Sequence, residues 1–484
     1  MTGIISLILF FLILLSSFRQ WIRQDVLPLQ SVLVLGSIAL VAMAMIFKPE
    51  FRISQFFSAA TLHPITATLA GFLLAGSVDA AGGFKAAATI LTKLSRGRIL
   101  GLSGTIILLV NIPTIFAMPC GRIWAAALIP ATIMFGIEVA RMQNRPSIVP
   151  AVVFGLIVNA AASCGPSPLG GIGMIVEGTA GYNLHSFSNS QQISIMVITI
   201  LTMFLVAFFS RININPDKFQ TDHQKGKALP DSAYFAFFLY MIGLGAVFIF
   251  EPPIPIQTVL LIMTIMVMIV GNVGFKSLVA GIIIHPVTAM VAGFMMAGAL
   301  LVTGGFDALT SLLVWFAANT PLGFIGVGVI LVYIPVIFPM PCGRITAAAL
   351  LPGVIMFGTQ VSKSTGIEHC LPVMLVGFVI CCAASCAPSP LGGIGGIGEG
   401  NLRLKSGITA NALQISILLG TPVAGLIVAG IGLTSNLFLT GEMIVSICFG
   451  IICGIFTNIL TGYKPHKPGG ILGGTIVGVL IMVL

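Results

Sequence analysis

Apolar runs of about 18–25 residues, separated by short polar breaks, fill almost the whole chain. A helix of that length crosses the hydrocarbon core of a bilayer, and the breaks mark out roughly eleven to thirteen such runs. They include residues 2–18, 28–47, 57–82, 148–178 and 190–210. The first lacks a basic leader and a small-residue cleavage site, so a retained helix is expected there and not a signal peptide. The longest polar stretch, 211–231, reads as an aqueous linker. Two apolar segments, 99–140 and 321–362, carry Pro-Cys-Gly-Arg in mid-run. A polar break of that kind predicts a re-entrant hairpin, because irregular backbone survives at membrane depth only inside protein or beside water.

The same order of runs occurs twice, and the residues repeat with it. HPITATLAGFLLAG (63–76) returns as HPVTAMVAGFMMAG (285–298). IPTIFAMPCGRIWAAALIPATIMFG (112–136) returns as IPVIFPMPCGRITAAALLPGVIMFG (334–358), and NAAASCGPSPLGGIG (159–173) as CCAASCAPSPLGGIG (381–395). The offset is 222 residues each time (63 to 285, 112 to 334, 159 to 381), which makes the chain a duplication. The expected organisation is a first repeat over 1–212, with hairpin 99–140 and broken helix 148–178. A cytoplasmic linker follows at 213–231. The second repeat covers 232–434, with hairpin 321–362 and broken helix 370–400. Residues 435–484 add two helices without counterparts.

Charge sets the orientation. Five crossings per repeat is an odd number, so the second repeat would be inverted relative to the first, a recurrent plan of secondary transporters. With the loop of Lys85, Lys93, Arg96 and Arg98 inside, the outer loops hold only Lys48, Arg52 and Lys363. Arg122 and Arg344 lie in the hairpin breaks, so 17 of the 22 Lys and Arg fall on the cytoplasmic side. Both termini are then outside. Only 7% of residues are charged, 57% are hydrophobic and mean hydropathy is +1.12. That inventory excludes a water-soluble enzyme or nucleic-acid binder, despite the net charge of +9. The fold class expected is an all-α polytopic membrane protein of two inverted-topology repeats, in a bacterial or archaeal cytoplasmic membrane.

Three symmetric features carry candidate chemistry. At each hairpin tip a helix begins near Gly121 or Gly343, and helix N-termini attract anions. Arg122 and Arg344 sit there, at a depth where an ionisable residue costs about 2.5–3.5 kcal/mol even on lenient scales. Two guanidiniums clamping one anion, and two that tie hairpin carbonyls or pair with a glutamate, are both open readings. The segments 163–173 and 385–395 hold two prolines and paired glycines, which break a helix. Freed carbonyls with the hydroxyls of Ser163, Ser167, Ser385 and Ser389 suit Na⁺, and the alternative is a kink that serves packing. Glu177 and Glu399 are coupling groups, partners of the arginines, or interfacial residues ending a short half-helix. The nine cysteines lack metal-ligand spacing and read as small buried residues. No phosphate-binding loop motif is present, so ATP-driven pumping is not expected, and no cofactor is called for.

The order of hairpin, Ala-rich helix ending in Leu-Ile-Pro or Leu-Leu-Pro, and broken Gly/Pro/Ser helix resembles the ion transporter superfamily. That group includes divalent anion:sodium symporters, citrate carriers, arsenite efflux proteins and some sodium/proton antiporters. The resemblance covers about residues 25–432. Where the dicarboxylate symporters carry Ser-Asn-Thr at each tip, this chain has Cys120-Gly121-Arg122 and Cys342-Gly343-Arg344. It implies a homodimer with a scaffold and a transport domain that moves as an elevator. Substrate contacts would be Cys120, Gly121, Arg122, Cys342, Gly343, Arg344 and Thr346. Cation contacts would include Ser163, Pro166, Ser167, Ser385, Pro388 and Ser389. The function expected is Na⁺- or H⁺-coupled transport of a small organic anion such as a di- or tricarboxylate, not an enzymatic reaction. A sodium/proton antiporter and an anion channel are the alternatives.

Overall fold

The computed structural model describes the chain apart from residues 1, 23–28, 49–51, 58–61, 96–99, 118–120, 167–169, 182–183, 185–186, 211, 213, 215–228, 251–255, 281–283, 338–342, 389–393, 433–437 and 484. Some helical side chains, those of His63, Arg122 and His285 among them, also lie outside the description. The described residues form helices and no strand. The first repeat holds α1 (Thr2–Ile22), α2 (Leu29–Phe47), α3 (Ile53–Phe57), α4 (Leu62–Ala80), α5 (Gly83–Ser95), α6 (Gly101–Ile115), α7 (Gly121–Gln143), α8 (Ile148–Ala162), α9 (Gly171–Ala180) and α10 (Ser188–Phe209). The second holds α11 (Asp231–Phe250), α12 (Ile256–Gly271), α13 (Phe275–Ala280), α14 (Ile284–Thr303), α15 (Gly305–Asn319), α16 (Gly323–Ile337), α17 (Gly343–Thr365), α18 (Cys370–Ala384), α19 (Gly395–Asn401) and α20 (Ala410–Gly432). A tail hairpin, α21 (Phe438–Leu460) and α22 (Pro468–Val483), closes the chain.

The duplication read from the sequence is a duplication of structure. Every boundary of α6, α7 and α8 recurs 222 residues later in α16, α17 and α18. The turn joining α4 to α5 has Gly82 at φ +81°, and its partner Gly304 between α14 and α15 has φ +77°. That left-handed backbone is available to glycine without strain. It bends the second pair by 77°, which swings the amphipathic α5 and α15 out of line with the helix before them.

The halves interlock. α2 packs on α14 and α4 on α12, while α1 lies against α15 and α11 against α5. At the centre α10 packs on α20. Ser194 Oγ donates to the Gly420 carbonyl (2.7 Å), and the hydroxyls of Thr202 and Ser416 are 2.6 Å apart. A methyl on Gly420 would overlap the Ile198 side chain. Small residues and buried hydroxyls of this kind hold membrane helices together where no hydrophobic force acts between them.

Within the run 57–82 the described residues form α4 from Leu62 to Ala80, with Pro64 in its first turn, where its missing N–H costs nothing. The linker is not aqueous from its start, because Ile212 and Ile214 are buried. The first arm of each hairpin and the first part of each broken helix are short. α6, α8, α16 and α18 have 15 residues each, or about 22 Å, short of a ~30 Å hydrocarbon core. Among the described residues three helices, α10, α17 and α20, are long and apolar enough to cross a membrane alone.

The tail hairpin packs on α6 and α10 of the first repeat. Its contacts are built on glycine: Gly450 meets Gly474, Gly454 meets Gly470, and Gly469 and Gly473 meet Leu100 and Gly104. The corresponding face of the second repeat, between α16, α18 and α20, is open. It holds a cavity of about 510 Å³ whose lining includes Val329, Met374, Gly377 and Leu426.

Candidate functional site

The long arm of each hairpin begins against the end of a broken helix. A methyl built on Gly121 would overlap the Ala160 carbonyl oxygen of α8, and one on Gly343 the Cys382 carbonyl oxygen of α18. Only glycine lets these backbones meet. The Gly121 N–H donates to Cys164 Sγ at 3.0 Å, and the Gly343 N–H to Cys386 Sγ at 3.0 Å. The positive ends of α7 and α17 therefore abut the carbonyl ends of α8 and α18, and opposite partial charges meet twice.

Where they are described, the two breaks begin with matching backbone. Ser163 has φ −60° and ψ −12°, and Ser385 φ −58° and ψ −18°. The Gly165 N–H donates to the Ala162 carbonyl (2.8 Å) and the Ala387 N–H to that of Ala384 (2.8 Å). The Ile172 and Ile394 N–H groups close the loops onto the Cys164 and Cys386 carbonyls (2.9 and 3.2 Å). Pro166 and Pro388 are buried within these turns. The Ser163 hydroxyl donates to the Ala160 carbonyl (2.8 Å) and that of Ser385 to the Cys382 carbonyl (2.7 Å). Each serine proton is thus committed to its own helix, and a cation would meet only the oxygen's lone pairs. Ser167, Ser389, Cys120 and Cys342 lie outside the described residues.

Arg122 is the second residue of α7, with its side chain outside the description. Arg344 holds the same place in α17 and is 3% exposed. Thr346 lies two residues further in, buried, and its hydroxyl has no hydrogen-bond partner among the described residues. Glu177 and Glu399 close loops. The Leu184 N–H donates to Glu177 Oε1 (2.9 Å), and the Gly407 N–H to both Glu399 oxygens (3.0 Å each), with the Thr409 hydroxyl 3.4 Å from Oε1. They sit at the ends of the short helices α9 and α19. The difference in burial is that Glu399 is enclosed and Glu177 half-exposed.

Comparison with known proteins gives a structural likeness to set beside this geometry. No protein-family model and no curated protein matches the chain. Among solved structures, it is similar to the Alcanivorax borkumensis YdaH transporter, at 14% identity and a TM-score of 0.47, over 80% of this chain and 88% of that one.

Behind the first tip lies a polar network that sequence reasoning missed. Asn159 Oδ1 accepts from the Thr114 N–H (3.0 Å) and hydroxyl (2.7 Å). Its Nδ2 donates to Asn111 Oδ1 (3.0 Å) and Thr199 Oγ1 (2.8 Å). One amide ties α6, α8 and α10 together. In the second repeat Cys381 stands at that position, 3.7 Å from Thr421 Oγ1. Gln192 Nε2 donates to the Thr114 carbonyl (3.0 Å), and Gln414, 222 residues on, to the Val336 carbonyl (3.0 Å). The thiols of Cys164 and Cys386 were also passed over as packing, although Ser-Cys recurs at the common offset.

Asn159→Ala strands several buried groups at once. Each unsatisfied polar group costs about 1–3 kcal/mol, so a loss of about 3 kcal/mol or more is expected in thermal unfolding, against less for Cys381→Ala. Equal losses would show that the network adds nothing. Among the described residues no cluster of His, Cys, Asp and Glu is placed to hold a metal ion.

Proposed function

We propose that this protein is a secondary transporter that moves a small organic anion, a di- or tricarboxylate, across the membrane with Na⁺ or H⁺ as the coupling ion. One observation carries the reading. Arg344 is buried in the first turn of α17, where the positive helix end meets a broken helix. A guanidinium at a helix N-terminus forms an anion-binding pair. The repeat of this geometry at Gly121 supports a single solute held between two tips. Turns with spare carbonyl and hydroxyl lone pairs behind each tip support a cation beside it.

In this reading the two repeats are inverted, the hairpins are re-entrant, and hairpins with broken helices move together as an elevator within a homodimer. The hydrogen bonds at Glu177 and Glu399 favour a loop-closing role over proton exchange, which ranks the antiporter second.

The test is uptake of labelled succinate, malate, citrate and tricarballylate into proteoliposomes, under a Na⁺ gradient, a proton gradient and neither. Gradient-dependent uptake of at least one anion is expected. Absence of uptake under every gradient overturns the proposal. Uptake unaffected by a cross-link between hairpin and scaffold replaces the carrier by a channel.

A further inference from the structure

We infer that Gln191 is a specificity-determining residue of the first-repeat half of this site, and that it selects anions bearing a hydrogen-bond donor beside the carboxylate. The inference rests on the anion-transport reading above and names the chemistry of its substrate.

Gln191 lies in the first turn of α10 and is completely buried. Neither its Oε1 nor its Nε2 has a hydrogen-bond partner among the described residues. Its Oε1 faces the first break: it is 3.5 Å from the position of a methyl on Gly165, with Val379 Cγ1 of α18 3.4 Å from the same point. The adjacent Gln192 buttresses the end of α6 through the Thr114 carbonyl, so the start of α10 is seated against both the hairpin and the break.

The duplication supplies an internal comparison. Gln192 and Gln414 make the same bond in both repeats, which marks that amide as structural. Gln191 has no such match. Its counterpart is Leu413, and the counterpart of Gly165 is Ala387, both fully buried. One repeat has glycine and an amide where the other has a methyl and an aliphatic side chain. The second repeat closes its core without the amide, so the fold does not require it.

A buried amide with neither end satisfied among the described residues is costly and calls for an explanation. The side chain offers two N–H donors and one carbonyl acceptor. A plain carboxylate only accepts, and satisfies Nε2 alone. A solute with a hydroxyl or ammonium next to its carboxylate satisfies both ends. Sites that hydrogen-bond such a group reject the analogue lacking it far more strongly than apolar pockets reject a missing methylene.

The experiment measures apparent affinities, by ligand-induced thermal shift and by competition for uptake, for two pairs of anions: malate against succinate, and citrate against tricarballylate. Members of a pair differ in one hydroxyl. For the wild-type protein a preference of at least about tenfold for the hydroxylated member is expected in the pair it binds. Gln191→Leu is expected to bring the ratio to within about twofold, mainly by weakening the hydroxylated member. The double variant Gly165→Ala/Gln191→Leu, which restores the packing pair of the second repeat, should behave alike if the single variant folds poorly. A wild-type protein that binds these anions without preference overturns the inference, as does a preference that survives in either variant. A wild-type protein that binds none of the four overturns the anion-transport reading itself, and the inference with it.

Discussion

Alanine at Gly343 is expected to break the tip of the second hairpin. The new methyl would overlap the Cys382 carbonyl oxygen and sit 3.2 Å from the Ser385 hydroxyl. The first of these neighbours is backbone, so no change of rotamer relieves the clash. α17 must instead move away from α18 and give up the bond from the Gly343 N–H to Cys386. Overpacking commonly costs about 1–3 kcal/mol, and occasionally more. A backbone neighbour puts this site at the upper end. Gly121→Ala meets Ala160 in the same way and should behave alike. Gly396→Ala is the control, because nothing lies within 4 Å of a methyl there. Thermal unfolding in detergent, together with uptake, checks the set. Unchanged melting and uptake in Gly343→Ala would show that the tip is not packed against the break.

Arg344→Lys is expected to lose transport while keeping the fold. Lysine preserves the charge at the start of α17 but lacks the planar fork that grips a carboxylate with two bonds. Losing one charged hydrogen bond costs about 1.5–3 kcal/mol, so anion uptake should fall by about ten- to a hundredfold. The melting temperature should change little if the guanidinium serves the solute and not the fold. If melting temperature and uptake fall together, the arginine is a structural tie and the anion reading loses its main support. A pronounced loss of uptake in Arg344→Lys and Arg122→Lys alike would support one solute held by both tips.

What was legible in the sequence was whatever the duplication copied. The constant offset located α6 to α8 and α16 to α18, the glycines that let α7 and α17 reach the breaks, and the two Ser-Cys-x-Pro turns. What was not legible lies where the repeats differ or where near-uniform apolarity removes any periodic signal. Asn159 and Gln191 have Cys381 and Leu413 as counterparts, so neither stood out as part of a symmetric motif. The pairing of α2 with α14 and of α4 with α12 is an interlock between halves, and local hydropathy carries no information about it. Cys164 and Cys386 were visible as repeated residues, yet a thiol accepting a helix's first N–H is a matter of geometry alone.

The tail hairpin has a consequence for energetics. Two exchangeable halves with identical surroundings would give end states of equal free energy, related by a two-fold rotation. Here α21 and α22 brace α6 and α10 through close glycine contacts, while α16, α18 and α20 surround an open cavity. If the halves trade conformations during transport, the braced half resists the exchange more than the open one. On the proposed transport reading, the degeneracy is then lifted before any solute or ion binds, and the empty protein rests preferentially facing one side.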